Sequence, residues 1–314
     1  MVQVDLITGF LGAGKTTFLR RYAAYLAGQG ERVCILENDF GAVNVDAMLV
    51  QDLLELGCEI ETISGGCDCD THQRRMRTKL ISMAMRGFTR VLVEPSGIFD
   101  VDEFFDVLRD DPLDRWYQIG NVIAIVDAML PETLSPQAEY ILASETANAG
   151  RVLLSRTKQA GPERCKAAAA HLTRALEGCK CSRRFAPEEI ITKDWADLTD
   201  EDLAAIAACG TRQASCEKLH FDEHEAFRSL CFLEQHLTLA QLQAAADRLF
   251  ADAACGHVLR VKGFAPDPQG ETGWLELNAT AAGKTLAPIP QGQDVLIVIG
   301  EGLDKAAIEA RLHG

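Results

Sequence analysis

The chain has 314 residues, 47% of them apolar and 25% charged, and a formal net charge of −15. At roughly 150 residues per domain that length suggests two domains, and the composition is that of an ordinary globular protein, which excludes wholesale disorder, collagen and solenoid repeats. The acidic excess disfavours nucleic acid and anionic membrane surfaces as partners, because attraction to phosphate then requires a local basic patch.

From the N-terminus, short β-branched apolar runs alternate with longer helical stretches. Strands are expected at residues 2–7, 32–36, 90–93, 122–126 and 152–154, and helices at 15–27, 72–86, 101–109, 136–147 and 163–176. This is the pattern of βαβ units, so the expectation is an α/β domain over residues 1–212 whose mainly parallel sheet is covered by helices on both faces. The alternation ends in a polar stretch near 211–221, and residues 213–314 read as a small α+β domain. There Thr238 and Gln241 form a capping box, and Leu239, Leu242, Ala246, Leu249 and Phe250 share a helix face. Runs at 258–264 and 274–277 flank a Pro266–Gly270 turn as a hairpin would, 295–299 is another strand, and Asp304 starts a last helix.

The best candidate for a membrane span, 122–130, is short and interrupted by Asp127. A strand-and-glycine motif begins by residue 9, which leaves no room for an export signal. Eleven cysteines, an odd number without a secretory signal, point to reduced thiols or metal ligation, so a cytoplasmic location is expected.

The densest chemistry follows the first strand. Gly9-Phe-Leu-Gly12-Ala13-Gly14-Lys15-Thr16-Thr17 matches G-x-x-x-x-G-K-[ST] between a strand and a helix. Glycines let the backbone N–H groups turn inward onto phosphate oxygens, the helix dipole adds positive potential, Lys15 reaches the outer phosphates and the Thr16 hydroxyl holds Mg²⁺. Glu94, closing the run that begins at Arg90 and followed by Pro95-Ser96-Gly97, is a second Mg²⁺ candidate, with the Gly97 amide facing the γ-phosphate. A second G-K-T, Gly283-Lys284-Thr285, lacks the first glycine and reads as a loop.

Further motifs are Glu37-Asn38-Asp39-Phe40-Gly41 after the second strand and Ser64-Gly65-Gly66-Cys67-Asp68-Cys69-Asp70. Together with the glycine loop and Glu94-Pro-Ser-Gly97, and with Arg260-Val-Lys262-Gly263 and the run from Val295 to Gly300 near the far end, they resemble the CobW family of P-loop GTPases. That family is related to the nickel-insertion GTPases of urease and hydrogenase. The resemblance spans nearly the whole chain. It implies a slow Mg²⁺-dependent GTPase whose nucleotide state governs delivery of Zn²⁺, Co²⁺ or a cobalamin-related cofactor to a client metalloprotein or corrinoid protein. Turnover without an arginine finger is expected on the order of 10⁻⁴ to 10⁻² s⁻¹. Asp39 belongs to the candidate switch loop and counts with Lys15, Thr16 and Glu94 among the catalytic candidates.

Three departures from the family pattern bear on function. G-G-C-x-C-C here ends in Asp70, so Cys67 and Cys69 need Asp70, Glu37, Cys58 or His72 to complete a Zn²⁺ or Co²⁺ site. The loop usually written E-N-E-F-G-E has Asp39 and Ala42 at its second and third acids. Guanine-specific members carry N-K-x-D, whose Asp accepts from guanine N1 and N2; this chain has Ser155-Arg156-Thr157-Lys158, and Arg156 is left to stack on the base while Lys158 cannot accept. ATP therefore stays open beside GTP. The altered metal motif also leaves an alternative function, a nucleotide-gated remodeller of a corrinoid or methyltransferase-type protein without metal transfer, and a homodimer is left open. His220 and His224 read as polar linker, Cys179 and Cys181 carry no role, and Arg74, Arg75, Arg77 and Lys79 read as a solvated helix face.

Overall fold

The computed structural model describes residues 1–10, 12–39, 51–64, 69–95, 101–214, 216–217, 227–270, 273–281, 283–289 and 292–313, with backbone alone at 38–39, 51–52, 64, 69–72 and 102–103. These fall into two compact units, one holding the described residues up to 217 and the other those from 227 on.

The first unit is built on a seven-stranded sheet: β1 (Val2–Thr8), β2 (Val33–Asp39), β3 (Glu59–Ser64), β4 (Arg90–Glu94), β5 (Tyr117–Asp127), β6 (Arg151–Ser155) and β7 (Ile190–Ile191). Their order is β3-β2-β4-β1-β5-β6-β7 and every pairing is parallel. The strands alternate their apolar residues between two cores. Ile7, Ile35, Leu92, Ile123, Ile125 and Leu153 face α1 (Lys15–Gly28), joined on that face by Leu203 and Ile206 of a later helix (200–207). Leu6, Leu36, Val91, Val93, Val126 and Leu154 face the other way. They pack on α2 (Cys69–Met85), α3 (Val101–Arg109), α4 (Pro136–Ala147) and α5 (Thr157–Gly178), and the 200–207 helix is α6 (Asp200–Ala207). Burial on both faces is why the strands read as continuous apolar runs. The expected doubly covered parallel sheet is therefore the observed one. α5 begins six residues before the expected start, but it kinks at Gly161-Pro162, where Gly161 has φ 73°, so its regular part starts where the sequence pattern does.

One buried polar cluster pins the sheet below its functional edge. Asp5, fully buried in β1, accepts from the Tyr22 hydroxyl (2.7 Å), Arg90 Nε (2.8 Å), the Asn121 amide N–H (2.9 Å) and Asn121 Nδ2 (3.0 Å). It ties β1, β4, β5 and α1 through one carboxylate, and burial beside that carboxylate pushes the Tyr22 hydroxyl pKa well up.

The second unit is an antiparallel sheet in the order β11-β10-β9-β12-β8, from β8 (Phe227–Leu233), β9 (His257–Pro266), β10 (Trp274–Thr280), β11 (Gly283–Ile289) and β12 (Val295–Glu301). α7 (Leu239–Ala251) and α8 (Lys305–Leu312) pack on it through Leu242, Ala246, Leu249, Ile308 and Leu312. The Thr238–Gln241 capping box forms, with Gln241 Oε1 accepting the Thr238 N–H at 2.9 Å, and Asp304 caps α8 by accepting the Ala307 N–H at 2.8 Å. One expectation is corrected. Gly283-Lys284-Thr285 is not a loop but the start of β11, paired with Thr280, Ala279 and Asn278; its residues are exposed at a sheet edge, so no buried apolar run announced the strand.

Removing the carboxylate at position 5 takes an acceptor from a buried guanidinium and from three other donors, so Asp5→Ala should lower unfolding free energy by about 3–5 kcal/mol, read from urea denaturation. A loss under about 1 kcal/mol would show that the cluster does not bear on the sheet.

Candidate functional site

In an open parallel sheet, ligands bind outside the carboxyl ends of the strands. The carboxyl ends of β1, β2, β4, β5 and β6 here carry Gly9, Glu37, Glu94, Asp127 and Ser155. The loop from Gly9 to Gly14 turns back on itself and enters α1. Gly9, at φ 143°, lies against β5 so closely that a β-carbon would stand 2.2 Å from the Ile125 carbonyl oxygen; Gly14, at φ 100°, is the left-handed N-cap of α1 and meets the Trp195 ring. Ala13 is buried and its N–H bonds the Phe10 carbonyl at 3.0 Å, which closes the turn. α1 has no side-chain cap, so the first-turn N–H groups, those of Lys15, Thr16 and Thr17 among them, have no partner within the helix at the end where the glycine motif enters it. Such a cradle accepts an anion.

Lys15 is buried and its ammonium donates to the Gly9 carbonyl at 2.8 Å, bent across the loop. Thr16 Oγ1 donates to Glu94 Oε1 at 2.9 Å. A hydroxyl and a carboxylate at that separation are a hard-oxygen pair suited to Mg²⁺. Thr17 is exposed. Glu37, 2% exposed, is the register partner of Glu94 on the neighbouring parallel strand, so the two buried acids stand side by side and share a face.

Arg156 closes the other flank. It occupies the left-handed N-cap of α5 (φ 55°), donates to the Gly12 carbonyl and pairs with Asp127 Oδ2 at 3.0 Å. Asp127 also accepts the Met129 N–H at 2.8 Å. It therefore caps the turn that follows β5. Burial pushes the Asp127 carboxyl above its ordinary range, against the pull of Arg156 and the Met129 N–H. Arg156 is a clamp on the phosphate-binding loop, a use that its place in the sequence did not reveal. Lys158 is paired with Asp197 (3.1 Å) and Asp194 (3.3 Å).

Of the other expected site residues, Cys67 and Gly97 lie outside the described residues, as do Ala42, His220 and His224. Asp39 ends β2 and Cys69 and Asp70 begin α2, their side chains outside the description, as is that of His72. Cys58 is buried, and burial raises its thiol pKa. No group of three or more His, Cys, Asp or Glu suited to a metal is found among the described residues. Arg77 and Lys79 pair with Asp110 and Glu61, and Arg74 and Arg75 are exposed. No described helix is long and apolar enough to cross a membrane.

The residues missed from sequence are Asp194, Trp195 and Asp197. They follow β7, a strand of two residues, too short to show a period. The available signal was Ile-Ile followed at once by Thr-Lys-Asp-Trp, an abrupt strand end beside the loop.

A family model described as CobW/HypB/UreG, nucleotide-binding domain, matches residues 3–183. The chain is similar to the zinc chaperone YjiA of Escherichia coli (strain K12), 32% identical over 51% of this chain and 51% of that protein. It is 25% identical to the zinc chaperone CobW of Pseudomonas aeruginosa over 99% of this chain and 91% of the other. Against the zinc-regulated GTPase metalloprotein activator 1 of Schizosaccharomyces pombe it is 27% identical over 50% of this chain and 39% of that one. The match thus spans about half the length of YjiA and less of the activator.

An acid whose native pKa is raised binds more protons folded than unfolded, so its contribution to stability falls as pH rises through the native pKa. Removing Arg156 raises the Asp127 pKa further. The stability deficit of Arg156→Gln should therefore grow between pH 4 and pH 7, reaching about 2 kcal/mol more at neutrality, measured by urea denaturation at each pH. A deficit independent of pH would show that Arg156 does not compensate Asp127.

Proposed function

The chain belongs to the CobW/HypB/UreG family of nucleotide-binding proteins, and from that premise we propose that it binds GTP with Mg²⁺, hydrolyses it slowly, and uses the nucleotide state to deliver zinc or cobalt to a client protein. The observation that carries this reading is the loop itself: a closed turn at the N-terminus of α1, with Lys15 folded onto Gly9 and Thr16 bonded to Glu94. An uncapped helix start inside a glycine loop is an anion cradle suited to phosphate. The Lys15 ammonium is held on a backbone carbonyl of the same loop, 2.8 Å away, which it would leave for a phosphate oxygen. Thr16 and Glu94 are the pair to hold Mg²⁺, which supplies charge neutralisation for phosphoryl transfer. The loop amides and Lys15 stabilise charge on the transferring group, and no residue of the chain acts as a covalent nucleophile in this reading.

The metal half of the proposal rests on Glu37 with Cys67, Cys69 and Asp70, and is supported by relatives named zinc chaperones. Glu37 stands beside Glu94 in register. A shift of Glu94 between a Mg²⁺-bound and a Thr16-bound arrangement is felt at once by the neighbouring acid, which is a direct route from nucleotide state to cargo affinity. The family loop containing Asn38, Asp39 and Gly41 is the candidate switch of the nucleotide cycle.

Lys15→Ala should lower Mg²⁺-dependent GTP hydrolysis at least 100-fold, followed as phosphate release, and Glu94→Gln should raise the Mg²⁺ concentration needed for half-maximal turnover. Undiminished hydrolysis in Lys15→Ala would remove the assignment.

A further inference from the structure

Position 158 is where a base-reading carboxylate is expected, and lysine has only protons to give. Two acids stand against it. Lys158 Nζ is 3.1 Å from Asp197 Oδ2 and 3.3 Å from Asp194 Oδ1, and both belong to the turn after β7, across an open cleft of 770 Å³ from the start of α5. The pairing raises the pKa of Lys158, so the ammonium stays charged.

The turn that carries these acids is fixed to the phosphate-binding loop. Trp195, between them in sequence, packs edge-on against Phe18 of α1, with ring centres 5.8 Å apart at 61°, and a β-carbon on Gly14 would stand 3.0 Å from its ring. From the other wall, Arg156, two residues before Lys158, holds the Gly12 carbonyl. The Lys158–Asp197 pair is therefore borne by the two segments that touch the loop, the start of α5 through Arg156 and the turn after β7 through Trp195. Two polar groups between the walls and the loop point to a guest. Ser155 Oγ, in a residue 4% exposed, and Trp195 Nε1 are buried with no hydrogen-bond partner among the described residues. Native sites leave such groups for ligands or water.

We propose that Asp197, held by Lys158, is the guanine-reading carboxylate of this chain, supplied from the turn after β7 in place of the missing acid at position 158. This rests on the nucleotide reading above and adds the base to it. One carboxylate accepts from guanine N1–H and N2–H together while the adjacent ammonium donates to O6. Adenine offers a single amino donor and a bare N1, so it forfeits one charge-assisted bond. Asp194 is a positioning residue: its Oδ1 accepts the Ala196 N–H at 3.0 Å and caps the turn that presents Asp197.

The test is competition against a fluorescent GTP analogue in Mg²⁺ buffer, with GTP, ITP, XTP and ATP as competitors, on the intact chain and on Asp197→Asn. The intact chain should bind GTP at least tenfold more tightly than ITP or ATP. Asp197→Asn should lose at least tenfold for GTP and gain for XTP, whose 2-oxo group accepts the new amide N–H. Asp194→Asn, which still caps, should keep the order of preference. A GTP-to-XTP ratio unchanged within twofold in Asp197→Asn, or equal binding of ATP and GTP by the intact chain, overturns the assignment of the base while leaving nucleotide binding intact. If no triphosphate binds the intact chain, the nucleotide reading itself fails, and this inference with it.

Discussion

Everything at the carboxyl edge of the larger sheet depends on how closely the backbone of Gly9 approaches β5. No side chain fits between Gly9 and the Ile125 carbonyl, where a β-carbon would be 2.2 Å from oxygen. That approach sets where the loop leaves the sheet and so where α1 begins. With the loop placed, three contacts hold its shape from different elements: Lys15 on Gly9, Arg156 on Gly12, and Thr16 on Glu94. The strands that supply these partners are locked to each other by apolar packing on both faces and by the four hydrogen bonds converging on Asp5. The phosphate-binding loop thus stands on strands packed on both faces and cross-linked through Asp5, the kind of support that holds a recognition site in place.

Parallel pairing also brings chemistry together that the sequence keeps far apart. Glu37 and Glu94 are separated by more than fifty residues, yet they are register partners on adjacent strands. In an antiparallel arrangement the two strand ends would lie at opposite edges of the sheet. Here a Mg²⁺ candidate and a cargo-metal candidate become neighbours by topology, which is the physical reason that the nucleotide and metal halves of the proposed function fit in one site.

Much of this was legible beforehand because burial on both faces forces a recognisable pattern. The runs ending near Ile7, Leu36, Val93, Val126 and Leu154 are strands, and the glycine loop follows the first of them as expected. Elements without a buried run were not legible. β3 has only two isoleucines, three residues apart among polar side chains, β7 has two residues, and β11 is exposed along most of its length, so each lacks the apolar period that marks a strand. Arg156 shows a different limit. Its contacts with Gly12 and Asp127 join residues more than 25 positions apart or more than 140 apart, and no local pattern encodes them. The same holds for Lys158, whose acid partners sit behind a two-residue strand.

The central claim is that nucleotide state is coupled to metal affinity across the Glu94–Glu37 boundary. The most direct measurement is a Co²⁺ titration of the metal-free chain, first with Mg²⁺ and a non-hydrolysable GTP analogue and then with GDP, following thiolate-to-metal charge-transfer absorption. The account predicts a band whose strength or midpoint differs between the two nucleotides and that disappears in Cys67→Ser. Identical titrations with both nucleotides, or no band with either while nucleotide still binds, would contradict it.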